Sequence, residues 1–356
     1  MQMSSRPCGD FRVSYGADSS LFRTRGTLWA CVAGVLLLMC APLVFDRYGM
    51  TLLIQIGCMA IGALGLNILT GFSGQISLGH AAFFGLGAFG STWLSNKMGV
   101  PVFFAIPLGG VIATVFGMVF GIPASRIRGL YLAIATLAAQ YVLEDFFSRA
   151  TWFTGGVAGA HAKPVVIFGY ALDTEGRYFF LVLAWLVAAF VYAGNLMRTR
   201  DGRALVATRD HYISAEMMGI PIVRYRILAF GLSSFYAGLA GALLGHYLTF
   251  VSTEGINIFL SIQFIAMIII GGLGTLSGAL LGAAFMVLLP ETLELAVVAL
   301  KHGGWVTSPA VLGSVNYLRE AAVGLVIVLF LILEPHGLAH RWQAIRAYWQ
   351  LYPFSH

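Results

Sequence analysis

The sequence predicts an all-α, polytopic integral membrane protein with about ten transmembrane helices. Three observations predict it. The 356 residues are 59% hydrophobic and 10% charged, whereas a soluble domain carries about 25% charged residues. Two runs, Met50 to Asn96 and Ile256 to Pro290, contain no Asp, Glu, Lys or Arg. A spanning helix takes about 20 apolar residues, so each run holds two helices or more. The apolar segments also lack the period-two alternation of a membrane barrel.

In chain order, residues 1–26 form a polar tail with Arg6, Arg12, Arg23 and Arg25. No short apolar stretch with a small-residue cleavage site follows, so no removable signal peptide is expected. Spans are expected at 27–45, 50–69, 76–95, 101–123, 129–148, 178–196, 227–250, 256–271, 276–296 and 318–334. Residues 335–356 form a second tail. Ten crossings put both termini on one side. That side then holds 14 of the 21 Lys+Arg: four in the first tail, Arg126, Arg128, six central arginines, Arg341 and Arg346. The bias marks it as cytoplasmic. The net charge of +6 thus reflects topology, and no nucleic-acid partner is expected. Two segments leave the count between about eight and ten. Ala321 to Leu333 spans only if Val315 to Leu318 join it and Arg319 snorkels. Gly271 to Gly278, GGLGTLSG, reads either as a tight cytoplasmic turn or as a re-entrant break.

Two loops stand out. The outer loop, 150–177, carries TGG at Thr154 to Gly156. Its length suits a cover over a pathway mouth that meets an external partner, and equally suits a solvated connector. The central loop, 197–226, reads MRTRDGRALVATRDHYISAEMMGIPIVRYR. From Gly202 to Met218 its residue types are helical, and Gly219 with Pro221 gives the stop. One short amphipathic helix is expected, serving as a docking surface for a separate protein. Its marked residues are Arg203, Arg209, Asp210, Ala215, Glu216 and Gly219.

The candidate pathway lies in GFSGQISLGHAAFFGLGAFG, Gly71 to Gly90. Glycines let helices approach closely or break. A broken helix exposes backbone groups, and uncharged polar side chains beside it suit a zwitterion or an amide. The candidate residues are Asn67, Gly71, Ser73, Gly74, Gln75, Ser77, Gly79 and His80. The competing reading is small-residue packing with satisfied polar groups. An intramembrane histidine is a functional candidate by default, yet His80 without a named partner reads first as a helix-to-helix hydrogen bond. The segment Gly71 to Phe83 is echoed by Gly272 to Phe285, as an internal repeat would be.

Other chemistry lacks its residues. Glu144, Asp145, Glu291, Glu294 and Glu320 fall near the outer interface, not at mid-membrane where an ion-coupling site belongs. Lys97, Lys163 and Lys301 are the only lysines and none follows a glycine, so there is no P-loop. There is no H-E-x-x-H, G-x-S-x-G or C-x-x-C, and Cys8, Cys31, Cys40 and Cys58 suggest neither a disulfide nor a metal. The chain is therefore not expected to be an enzyme, and no cofactor or metal is expected.

These motifs together resemble the permease subunits of branched-chain amino acid ABC transporters, the LivM type of the hydrophobic amino acid uptake family. The resemblance runs from about Leu53 to Leu338. It rests on GFSGQISLGHAAFFGLGAF, RGLYLAIATLAAQ (Arg128 to Gln140), TGG, the stretch from Gly202 to Ile256, IGGLGTLSGALLGA and EPHGL (Glu334 to Leu338). It implies a bacterial inner-membrane importer. A second, LivH-like permease subunit completes the pathway, two ATP-binding subunits grip the cytoplasmic loops, and a periplasmic binding protein delivers the substrate. Ala215, Glu216 and Gly219 resemble the ATPase-contacting loop, but depart from the E-A-A-x-x-x-G form of other importers, so no salt-bridge role is assigned to Glu216. Val157–Ala158–Gly159 after TGG is a second departure. The implied cargo is a branched-chain or related amino acid, with urea or short amides as alternatives. Rivals of another class are a stand-alone secondary transporter or channel, which would need a charged relay in mid-membrane, and a membrane enzyme, which would need a His/Asp/Glu cluster at one interface.

Overall fold

The computed structural model describes residues 25–127, 129–167, 170–172, 174–302, 315–334 and 337–351. Most of the first tail, with Cys8, lies outside the described residues. So do Arg128 and the Pro335–His336 pair of the EPHGL motif.

The chain is helical almost throughout. Its α-helices of more than four residues among the described residues are α1 (Arg25–Met39), α2 (Arg47–Leu66), α3 (His80–Lys97), α4 (Val102–Ala124), α5 (Leu130–Arg149), α6 (Glu175–Leu196), α7 (Arg200–Asp210), α8 (Tyr212–Met217), α9 (Ile222–Leu248), α10 (Ile258–Gly271), α11 (Leu276–His302), α12 (Val315–Leu333) and α13 (Leu338–Leu351). Each expected span overlaps one of these helices. Among the described residues, six segments are long and apolar enough to cross a membrane: 47–72, 102–124, 130–149, 175–196, 222–248 and 276–295. The expected count of about ten crossings, with eight or nine as alternatives, is not confirmed by these six. At 14 residues, α10 is about 21 Å long, short of a hydrocarbon core of about 30 Å.

The most buried helix is not one of the most apolar. α3 is buried without interruption from His80 to Thr92, packed among α4, α9 and α10. Facing protein instead of lipid, it tolerates glycine, serine and threonine. Those small residues set its distance from its neighbours, as is usual where membrane helices pack closely. A β-carbon on Gly87 would lie 2.1 Å from the Gly238 carbonyl oxygen of α9, so the two backbones touch. α9 also packs on α2 and α4. The buried Tyr236 hydroxyl donates to the Ala189 carbonyl of α6 at 2.8 Å. Phe264, Ile54, Leu64 and Phe230 fill the space between helices.

Short strands order one end of the bundle. β1 (Ala160–His161) pairs antiparallel with β4 (Phe250–Val251), and β2 (Val166–Ile167) with β3 (Tyr170–Ala171). Asn96 donates to the His161 carbonyl at 2.6 Å, and the Lys163 ammonium to the Ser95 carbonyl at 2.9 Å. The loop 150–177 is therefore fastened to the ends of α3 and α9. At the opposite end the loop 197–226 holds two helices in place of the single one expected. His211 takes an extended conformation (φ −155°, ψ 86°) between α7 and α8, and its Nδ1 lies 3.2 Å from the Ser214 hydroxyl.

The backbone contact at Gly87 leads to a stability prediction. Gly87→Leu is expected to lower the thermal stability of the detergent-solubilised chain by more than about 3 kcal/mol, the upper range of ordinary overpacking, because backbone cannot yield as a side chain does. Gly34→Leu, where a β-carbon meets nothing within 4 Å, is expected to leave the melting temperature unchanged.

Candidate functional site

The site begins where α2 fails to end cleanly. After Leu66 the chain widens into a π-helical turn, Asn67–Phe72, then runs without helical or strand structure to Gly79 before α3 starts at His80. π-turns within helices are often found at functional sites. Ser73, Gln75 and Ser77 are buried and Ile76 between the latter two is exposed, the two-residue alternation of an extended chain. That alternation turns the polar side chains inward. Gly74 has φ +72° and lies against Arg209, whose Cγ is 2.7 Å from where a β-carbon would be.

Breaking a helix inside the bundle strands backbone donors that cannot reach water. Other helices supply the acceptors. The Thr136 hydroxyl of α5 accepts from Leu78 N at 2.9 Å. The Ser261 hydroxyl of α10 accepts from Ala81 N at 2.9 Å, and Gln140 Oε1 of α5 from Ala82 N at 2.8 Å. Gln140 Nε2 in turn donates to the Ile256 carbonyl at 3.5 Å. His80 Nε2 donates to the Gly62 carbonyl at 2.9 Å and meets the Phe264 ring edge-on. It thus makes the helix-to-helix bond that a lone histidine suggested. Gln75 Nε2 donates to the Ser73 hydroxyl at 2.5 Å, while its Oε1 has no partner among the described residues.

All eight candidate pathway residues lie in or beside this break. Thr136, Gln140 and Ser261 were missed from the sequence. Their signal was only that of small polar residues in apolar runs. A cavity of 620 Å³ between α4, α6 and α9 and one of 430 Å³ beside Ser95 and Lys163 are both lined by other residues. Among the described residues no group of His, Cys, Asp or Glu gathers as a metal ligand set.

The loop residues divide by position. Thr199 caps α7, its hydroxyl accepting from Gly202 N at 3.3 Å. Arg203 donates to the Arg198 carbonyl at 2.8 Å. Arg209 pairs with Asp210 at 2.9 Å and reaches across to the break, Nη1 donating to the Gly71 carbonyl at 2.6 Å. Ala215 is buried and Glu216 exposed, while Gly219 closes α8 with φ +79°. Beside them Met217 and Met218 are 85% and 84% exposed. The structure thus joins the two candidate sets through Arg209, a link that nothing in the sequence indicated.

These features define a multi-pass helical membrane protein in which a charged loop is bonded to a break inside the bundle. Residues 49–332 match the model of the family described as branched-chain amino acid transport system, permease component. The chain belongs to that family. It is 28% identical over 299 residues to the high-affinity branched-chain amino acid transport system permease proteins LivM of Salmonella typhimurium and Escherichia coli. That match covers 77% of this chain and 66% of each relative. It is 25% identical over 284 residues to a probable branched-chain amino acid transport permease protein LivH of Methanocaldococcus jannaschii, covering 78% of this chain and 86% of that one. No solved structure matches the chain.

Gln140→Leu removes the acceptor for Ala82 N and leaves that donor buried. A loss of about 1–3 kcal/mol is expected. Hydrogen exchange should rise at residues 80–83 and stay unchanged in α4, as read by mass spectrometry of the intact chain in detergent.

Proposed function

We propose that this chain is a transmembrane subunit of an ABC importer that carries branched-chain or related amino acids across a bacterial inner membrane. In this reading the arginine-rich end faces the cytoplasm, as do both termini. The permease domain is 27–334, with 197–226 as its coupling loop and 150–177 covering the outer mouth. A second permease subunit completes the pathway, two ATP-binding subunits hydrolyse the nucleotide, and a periplasmic binding protein brings the cargo. This chain supplies docking and passage and no chemistry of its own.

Family membership supports the permease role. The observation that carries the mechanism is the bond from Arg209 to the Gly71 carbonyl. A displacement of α7 by a docked subunit would pull directly on the break. A charge-assisted hydrogen bond in a low-dielectric setting transmits such a pull better than an apolar contact that slides. Exposed Met217 and Met218 give the docking face an adaptable apolar surface of a kind common in recognition. At the break, a zwitterion would meet buried polar side chains and backbone groups in place of water. Alternating access then follows from rocking packed helices around that point.

Reconstituted vesicles test this reading, carrying the chain with the permease, ATPase and binding-protein subunits of an importer of this family from the same organism. Uptake of labelled leucine, isoleucine and valine is expected to require ATP. Arg209→Glu and Met217→Asp should each reduce it about tenfold or more, the worth of one lost charged or anchoring contact, with the protein still in the membrane. Urea and acetamide in the same assay decide the cargo class. Passage down a gradient by this chain alone, indifferent to both changes, would overturn the proposal in favour of a secondary transporter or channel.

A further inference from the structure

The chain breaks twice near the α7 end of the bundle, at 73–79 and at the α10–α11 turn, 272–275, and one side chain joins the two breaks. Asn67 is fully buried. Its Nδ2 donates to the Thr275 carbonyl at 2.8 Å, and its Oδ1 accepts from Gly274 N at 2.9 Å. Both ends of one amide are spent on one turn, 207 and 208 residues away in sequence. The backbones themselves abut: a β-carbon on Gly71 would lie 2.6 Å from Gly274 N. Arg209 sits over this seam. While Nη1 bonds to the Gly71 carbonyl, it also lies 3.0 Å from the β-carbon position of Gly274. The Thr275 hydroxyl, donating to the Gly272 carbonyl at 2.7 Å, closes the turn from within.

We infer that Asn67 and Arg209 form a clasp that makes the two breaks move as one body when α7 is displaced. Asn67 is a positioning residue for transport, and Arg209 is its handle. The inference rests on the docking reading of α7 and deepens it by naming what α7 moves. Asn67 is fully buried while Gly274 and Thr275 are half-buried, so parting the breaks leaves both ends of the Asn67 amide away from water without a partner. Glycine backbones in contact leave no slack between the segments. Without the clasp, α7 would shift the first break and leave the second behind. ATP would then be spent without passage. The two sequence echoes, Gly71 to Phe83 and Gly272 to Phe285, meet at this seam.

The test has two arms, using Asn67→Leu, Arg209→Gln and Arg209→Lys. In the first, hydrogen exchange is measured on the full chain alone in nanodiscs. Arg209→Gln is expected to raise exchange at the amides of residues 272–275, though its side chain accepts from none of them, and Arg209→Lys to restore part of the protection. In the second arm, on the assembled importer, molecules moved per ATP hydrolysed should fall about tenfold in Asn67→Leu, the worth of its lost bonds, with the KM for substrate little changed. Unaltered exchange at 272–275 in Arg209→Gln, or a wild-type transport ratio in Asn67→Leu, would overturn the clasp. If Asn67→Leu does not fold, Arg209→Gln, at a partly exposed position, decides alone. If ATPase subunits fail to bind the wild-type chain, the docking reading falls, and the exchange arm still judges the clasp.

Discussion

Backbone groups inside a membrane protein must find partners within the protein, because lipid offers none. That constraint organises this fold. α3 starts inside the bundle, where the stranded donors at Leu78, Ala81 and Ala82 are met by Thr136, Ser261 and Gln140. Those three acceptors come from α5 and α10, so both helices must lie against the break. The π-turn at Asn67–Phe72 has the same cause at the other side of the gap. Its carbonyl at Gly71 finds Arg209, and its Asn67 side chain finds the α10–α11 turn.

Close packing follows from these bonds. Hydrogen bonds hold the start of α3 to α2, α5 and α10, and the glycines of α3 and α9 let those two helices touch along their length. The same tightness makes the bundle suited to discrete rearrangement. Apolar helices that touch only through long side chains can slide by small steps. Helices held by paired amides and abutting backbones change by breaking and remaking contacts. The loop 197–226 is fastened to that part of the core through Arg209. The loop 150–177 is fastened to the far end, through Asn96 and Lys163. A force at one end thus meets structured contacts along the whole length of the molecule.

Family membership and architecture speak to different links in the chain of inference. The family states what kind of machine contains this subunit. The geometry shows which atoms join the loop 197–226 to the break, and it does so independently of cargo. The side chains buried at the break, Ser73, Gln75, Ser77 and His80, are polar and carry no carboxylate, lysine or arginine.

Much of the fold was legible in the sequence, for a simple reason. Long uncharged runs can satisfy their backbones in lipid only as helices, so composition alone determined the helical class and the approximate helix positions. Glycine and uncharged polar residues from Gly71 to His80 offered a break or close small-residue packing as readings, and the structure shows the break. Gly219 and Pro221 determined where the central loop's helical part stops. Tertiary structure decided the rest. That α3 is buried on every side, despite being less apolar than its neighbours, depends on which helices surround it. The split at His211 lies in a local non-helical backbone conformation (φ −155°, ψ 86°) that propensity does not resolve. The roles of Asn67, Gln140, Ser261 and Arg209 depend on partners tens to hundreds of residues away. A sequence lists donors and acceptors, but only the packed bundle decides which of them are kept from water and made to find each other.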